Sequence, residues 1–350
     1  MTGQMFDKKV TSVIKGIAIV LMFVHHFFTF PHYWNEGVYY PFWNQWSTIL
    51  CKPFQICVPI FCFITGYFYY FNSRKTYSYA LKKCLNVLIP YWLITLVYIL
   101  IAIICGYKYT IWGIILELFA LKRSTMIFCW YVYFYLGVML ILPLFSRISK
   151  NRRCVKYIFS FVVLSILLVL INNYFPAFDT IIVWLPIVFS GYFAAEYSLI
   201  NKIMKNSNNL PGIFILTMFI IASLARWFFP EISFSLEKIR VFYCNMDVLY
   251  GGISVFALVI FILRIRKYGV QLKILQNLGN KSLYMWFIHC IFFNNVKEFS
   301  QIVLYWPQNW LLVLIWGLSI CYIGSLLCEK ICNKVKTHSV DLLLNKMGLQ

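Results

Sequence analysis

Val10-Thr11-Ser12-Val13-Ile14-Lys15-Gly16-Ile17-Ala18-Ile19-Val20-Leu21-Met22-Phe23-Val24-His25-His26-Phe27-Phe28 decides how the chain is to be read. The stretch approaches the length that a helix needs to cross a bilayer, about 20 residues. Yet it carries Lys15, His25 and His26. Ionisable groups at membrane depth are costly, so they face a protein interior or a cavity rather than lipid. Helical geometry sorts the three. At about 100° per residue, eleven steps return to within roughly 20° of the start, whereas ten steps miss by roughly 80°. Lys15 and His26 therefore share one stripe about 16 Å long, and His25 lies to one side.

The rest of the chain has the same character. Of 350 residues, 62% are hydrophobic and 12% charged, and the mean hydropathy is +0.76. No water-soluble domain needs so much apolar surface. The expected fold is all-α: a polytopic membrane protein of one domain over residues 1–350, multi-pass in the cell membrane. The net charge of +20 raises nucleic acid as a partner. Its distribution excludes that reading, because the basic residues fall between apolar segments on alternating sides. Twelve cysteines are scattered, mostly in apolar stretches, with no Cys-x-x-Cys and no metal-ligand spacing. They read as small buried hydrophobes. The first apolar segment lacks a small-residue cleavage site and is expected to be retained.

Ten spans are expected, at about 10–30, 47–71, 84–105, 127–145, 157–172, 181–197, 211–229, 246–263, 281–296 and 309–330. The segment 111–121 is too short to cross and reads as an interfacial or re-entrant helix. With the N-terminus inside, twenty-two Lys and Arg residues fall in inner segments, among them Arg74, Lys82 and Lys83, against six in outer ones. That asymmetry places both termini in the cytoplasm.

Several side chains suit chemistry. Lys15, toward the inner end, suits an anionic group arriving from the cytoplasm, and His26, further out, suits proton transfer near neutral pH. The plainer reading has Lys15 reaching for the inner headgroups and the histidines at the outer interface. In Cys62-Phe63-Ile64-Thr65-Gly66-Tyr67-Phe68, the Thr-Gly step permits close helix packing or turns a hydroxyl toward a cavity. The ninth span holds Leu278-Gly279-Asn280-Lys281-Ser282-Leu283-Tyr284-Met285-Trp286-Phe287-Ile288-His289. His289 lies about 12 Å into it. A histidine there is a functional candidate, or else one hydrogen-bonded to a neighbouring helix. Of the acidic groups near the outer half, Asp247 is best placed to orient a histidine or hold a substrate hydroxyl, and it is equally suited to cap its own helix. Glu117 belongs to the same set. The aromatic residues after the first helix suit sugar stacking or an interfacial belt.

Taken in order, these pieces resemble the acyltransferase-3 family of integral membrane acyltransferases over nearly the whole chain. The matching pieces are Lys15, ten residues and His26; Thr65 to Phe68; Lys83 with Ile89 to Tyr91; Trp130-Tyr131; Gly191-Tyr192; Asp247 with Gly251; and Leu278 to His289. Three positions depart from the family pattern. Lys15 replaces an arginine, which keeps the charge and loses the bidentate fork. Thr65 replaces a serine, and Asn86 stands where a second arginine is expected.

The resemblance implies transfer of an acyl group, most often acetyl from acetyl-CoA on the cytoplasmic side. The implied acceptor is a hydroxyl of a cell-surface or lipid-linked glycan. It implies no permanently bound cofactor and no metal. On this reading Lys15, with Arg74, Lys82 or Lys83, holds the CoA phosphates. His26 acts as base or brief acyl carrier, with His25 next in line. Asp247 and His289 complete the catalytic set. Membrane lipid and glycan-synthesis machinery are the expected neighbours. The competing reading is an exporter of polysaccharide or of a lipid-linked glycan, against which stands the absence of an evident inverted repeat.

Overall fold

The computed structural model describes residues 6–29, 52–72, 76–119, 129–148, 179–205, 237–267, 271–293 and 296–346, with a few isolated positions between them. In chain order the helices are α1 (Lys8–Thr29), a 3-10 turn (Lys52–Ile56), α2 (Cys57–Tyr70), α3 (Tyr77–Ile104), α4 (Ile111–Leu118) and α5 (Trp130–Ile148). They continue with α6 (Asp179–Glu196), α7 (Leu199–Lys205), α8 (Glu237–Lys267), α9 (Lys273–Asn280), α10 (Ser282–Phe292), α11 (Lys297–Val303) and α12 (Trp310–Lys346). Four of them, over Lys8–Phe27, Tyr77–Ile104, Trp130–Arg147 and Trp310–Val335, are long and apolar enough to cross a membrane.

Of the expected span 47–71, the described residues form the 3-10 turn Lys52–Ile56 and the fourteen residues of α2. Of the expected span 281–296, they include the eleven residues of α10, about 16 Å of helix. Lys281, not helical, breaks the chain between α9 and α10. Other helices outrun their apolar patterns because caps and polar turns extend them. Thr76 accepts from the Tyr79 N–H and starts α3 seven residues before the apolar run. The short helix expected near 111–121 is present as α4, capped by Thr110. The expected spans 157–172 and 211–229 lie outside the described residues, isolated positions apart.

The chain divides into two compact units. The first comprises residues 1–25, 46–73 and 148–280. Its centre is the packing of α2 on α6, with α8 against both. Glycine makes this possible. A Cβ on Gly66 would fall inside the carbonyl of Val188, and one on Gly191 inside the carbonyl of Phe63. The Thr65-Gly66 and Gly191-Tyr192 steps are thus two halves of one backbone-to-backbone crossing. Thr65 gives its hydroxyl to the Phe61 carbonyl of its own helix, 2.8 Å away. A second crossing joins α1 to α9, where Gly16 meets the Leu275 carbonyl and Gly279 meets that of Ser12. Ser12 Oγ also donates to Asn280 Oδ1 at 2.6 Å.

Asp7 starts α1. Its Oδ1 accepts from the Val10 N–H at 2.8 Å, and its Oδ2 accepts from Arg266 Nη1 at 2.7 Å. Partial burial pushes this carboxyl up, but the Val10 N–H, the Arg266 guanidinium and the Lys9 N–H together hold it below its ordinary value.

The second unit comprises residues 26–45, 74–147 and 281–350. Here α10 is the core element, packed against α12 and α3. Tyr91 of α3 meets Phe287 at 5.7 Å, and Tyr131 of α5 meets Trp286 edge-on at 5.4 Å. Lys281, just before α10, pairs with Glu329 of α12. The short α4 is tied to α3 at its end: Tyr91 Oη donates to the Glu117 carbonyl at 2.6 Å, and Trp92 Nε1 donates to that of Leu118 at 2.8 Å. Apolar side chains of α12, including Leu312, Ile315, Ile323, Leu327 and Ile331, are exposed, as suits contact with hydrocarbon. Most of the cysteines whose side chains are described are buried.

Two outcomes follow. Gly66→Val forces α2 and α6 apart and is expected to cost about 1–3 kcal/mol or more. Gly252→Ala meets no atom within 4 Å and should be nearly silent. Thermal unfolding of the two variants in detergent makes the comparison. The depressed Asp7 carboxyl stabilises the fold above the ordinary aspartate value, about pH 4, and that contribution is lost as pH falls through its folded value. Asp7→Asn keeps the cap and removes the charge. It should therefore lower stability by about 0.5 kcal/mol at pH 7, the pair being largely exposed, and the deficit should vanish in acid.

Candidate active site

The last turn of α1 presents His26 to α10, and α10 answers with His289. His26 Nδ1 lies 2.8 Å from His289 Nε2, and the two rings stand nearly parallel, 8° apart, with centroids separated by 5.0 Å. Both are buried, at 9% and 0% exposure. His289 Nδ1 is directed at the Trp286 carbonyl one turn earlier in α10. Cys290 Sγ donates to that same oxygen at 3.2 Å. A carbonyl oxygen has two lone pairs and accepts both.

This chain of contacts sets the tautomers. A carbonyl cannot donate, so His289 carries its proton on Nδ1. In a neutral ring Nε2 is then an acceptor, and the proton of the His26–His289 bond belongs to His26 Nδ1. With both rings neutral, Nε2 of His26 is then unprotonated, which is the form a general base requires. Phe293 fixes the pair from the side, with its ring 5.8 Å from His26 and 5.7 Å from His289.

The other residues singled out from the sequence fall in different places. His25 is buried in the first unit. Lys15 is half-buried, eleven residues before His26 on the continuous α1, about 16 Å along its axis. Lys82 is exposed on α3, and Lys83 is half-buried with its ammonium 5.3 Å above the Tyr79 ring. Arg74 lies outside the described residues, and so does the side chain of Asp247, although its backbone belongs to α8. Glu117, one of several outer acids in the sequence, is buried at 1% exposure on α4.

No periodicity pairs His26 with His289, because 263 residues separate them. The sequence also gave no reason to single out Tyr305. Its ring packs on Phe27 and its side chain is buried.

Among the described residues, four apolar helices of membrane-crossing length, together with a buried pair of imidazoles, describe an integral membrane protein. The acyltransferase-3 family model, an acyltransferase domain, matches residues 12–330, and the chain belongs to that family. It is therefore a membrane acyltransferase. No curated protein and no solved structure matches the chain. The exporter reading finds no support in the family match.

The tautomer assignment has a spectroscopic outcome. In protein labelled with 15N-histidine, His26 should give the signature of a ring protonated at Nδ1. His289→Leu removes the acceptor, and the His26 signal should then redistribute between tautomers. An unaltered His26 signal in that variant would mean that His289 does not set its proton.

Proposed function

We propose that the protein transfers an acetyl group from cytoplasmic acetyl-CoA to a hydroxyl of a cell-surface or lipid-linked glycan. The observation that carries this reading is the hydrogen-bonded His26–His289 pair, which leaves His26 Nε2 as a base. The proposed topology has ten crossings with both termini in the cytoplasm, drawn from the positive-inside asymmetry of the loops. Lys15 then faces the inner surface and is assigned to the phosphates of the donor. The interval of about 16 Å along α1 is comparable to an extended pantetheine arm, so a thioester held at Lys15 reaches the level of His26.

In the proposed step the acceptor hydroxyl gives its proton to His26 Nε2 as its oxygen attacks the thioester carbonyl carbon. The C–O bond forms and the C–S bond breaks. The CoA thiolate leaves and takes the proton from His26 Nε2–H, which restores the starting tautomer. The transient imidazolium keeps its Nδ1–H bond to His289 Nε2, so positive charge develops against an acceptor already in position. Such acid–base assistance typically contributes about 10²–10⁴-fold.

His26→Gln should accordingly lower turnover at least about 100-fold while the protein still inserts in the membrane. The measurement is release of CoA thiol from acetyl-CoA in purified protein with a glycan acceptor. Lys15→Ala should instead raise the KM for acetyl-CoA, with Lys15→Arg retaining most of the affinity. An exporter would release no CoA at all. A His26→Gln variant with full turnover would remove His26 from the mechanism and leave His25 to be examined next.

A further inference from the structure

Tyr305 is 3% exposed, and among the described residues its hydroxyl has no hydrogen-bond partner. A buried hydroxyl left unsatisfied is destabilising, and each such group in a folded protein calls for an explanation. Burial also pushes the phenol up, so the group is an O–H donor at any physiological pH.

Its placement is fixed from several directions. Ser300 Oγ donates to the Phe292 carbonyl at 2.9 Å and so ties α11 to the end of α10. The Tyr305 N–H donates to the Ser300 carbonyl at 3.1 Å. Trp316 Nε1 donates to the Val303 carbonyl at 2.9 Å, which locks the same segment to α12. The Tyr305 ring stands edge-on to Phe27 at 6.3 Å, Phe27 stands edge-on to Phe293 at 5.2 Å, and Phe293 touches both imidazoles. The hydroxyl is thus an oriented donor held in the same aromatic cluster as the histidine pair. The cluster lies at the end of α1 remote from Lys15.

We infer that the Tyr305 hydroxyl binds the acyl acceptor, donating a hydrogen bond to a second oxygen of a polyhydroxylated molecule whose reacting hydroxyl meets His26 Nε2. The inference rests on the acyl-transfer reading above. The Tyr305 ring meets Phe27, the residue after His26 on α1, and the phenol engages a different oxygen from the one that reacts. A sugar offers such a pair of oxygens, whereas a simple alcohol does not. The donor thioester is a poorer occupant, because its anionic end belongs with Lys15 at the opposite end of α1.

Tyr305→Phe tests this cleanly, because it removes only the unsatisfied hydroxyl. If that group has no ligand, its removal leaves the fold as stable or more so, and activity is unchanged. The experiment uses membrane vesicles from a host lacking the endogenous gene, loaded with the full-length protein and supplied with radiolabelled acetyl-CoA. Label entering the envelope glycan is followed at varied donor concentration, beside thermal unfolding of the purified variant. The expected result is a maximal rate roughly ten-fold lower, an unchanged KM for acetyl-CoA and an unfolding temperature equal to or above that of the parent. An unchanged rate overturns the inference, and so does a marked loss of thermal stability, since the hydroxyl would then serve the fold. His26→Gln in the same assay separates the two levels. If it incorporates label at the parental rate, or if the parent incorporates none, the acyl-transfer reading itself fails. If it is inactive while Tyr305→Phe is fully active, only the role of Tyr305 falls.

Discussion

The hydrogen bond from His26 Nδ1 to His289 Nε2 is the constraint around which the second unit is arranged. Two imidazoles buried among apolar side chains each need a partner, since an unpaired polar group in such surroundings is costly. They satisfy one another, and the Trp286 carbonyl closes the series. The arrangement keeps His289 fully shielded on a largely buried α10, which packs against α3 and α12. Tyr91 and Tyr131 pack on Phe287 and Trp286 of the same helix, and Phe293 lies against both imidazoles. Chemistry and packing are here the same requirement: the proton is placed by the bonds that make burial tolerable.

The sequence features on which the family resemblance rests divide into two kinds. The Thr65-Gly66 and Gly191-Tyr192 steps form a single helix crossing, and Gly279 belongs to a second crossing against Ser12 and Gly16. Their role is to bring backbones to the distance at which carbonyls and Cα atoms touch, a kind of packing that suits apolar surroundings where no hydrophobic force drives helices together. His26 and His289 belong to the other kind: they place ionisable atoms, both in the unit that holds Tyr305 and Glu117.

Helix formation was legible along nearly all of the described chain. Continuous apolar runs of β-branched, leucine and aromatic residues leave no alternative that satisfies the backbone in an apolar environment. Helix ends were read less well. Thr76 and Asp7 begin helices through side-chain caps that hydropathy does not register. Of the site, the individual histidines stood out because ionisable residues are rare in such runs. Arg74 and the Asp247 side chain fall outside the described residues, so their assigned roles rest on the sequence alone.

By itself, then, the sequence determined the apolar helical class, the family, and the stripe that runs from Lys15 to His26, because each follows from composition, order or the pitch of one helix. Which histidine pairs with which was decided only by tertiary structure, along with the nitrogen that holds the proton and the burial of a distant tyrosine beside the pair. Helical periodicity relates residues a few turns apart. It carries no information about a contact across 263 residues, and a tautomer is fixed by the partner on each nitrogen rather than by the residue itself.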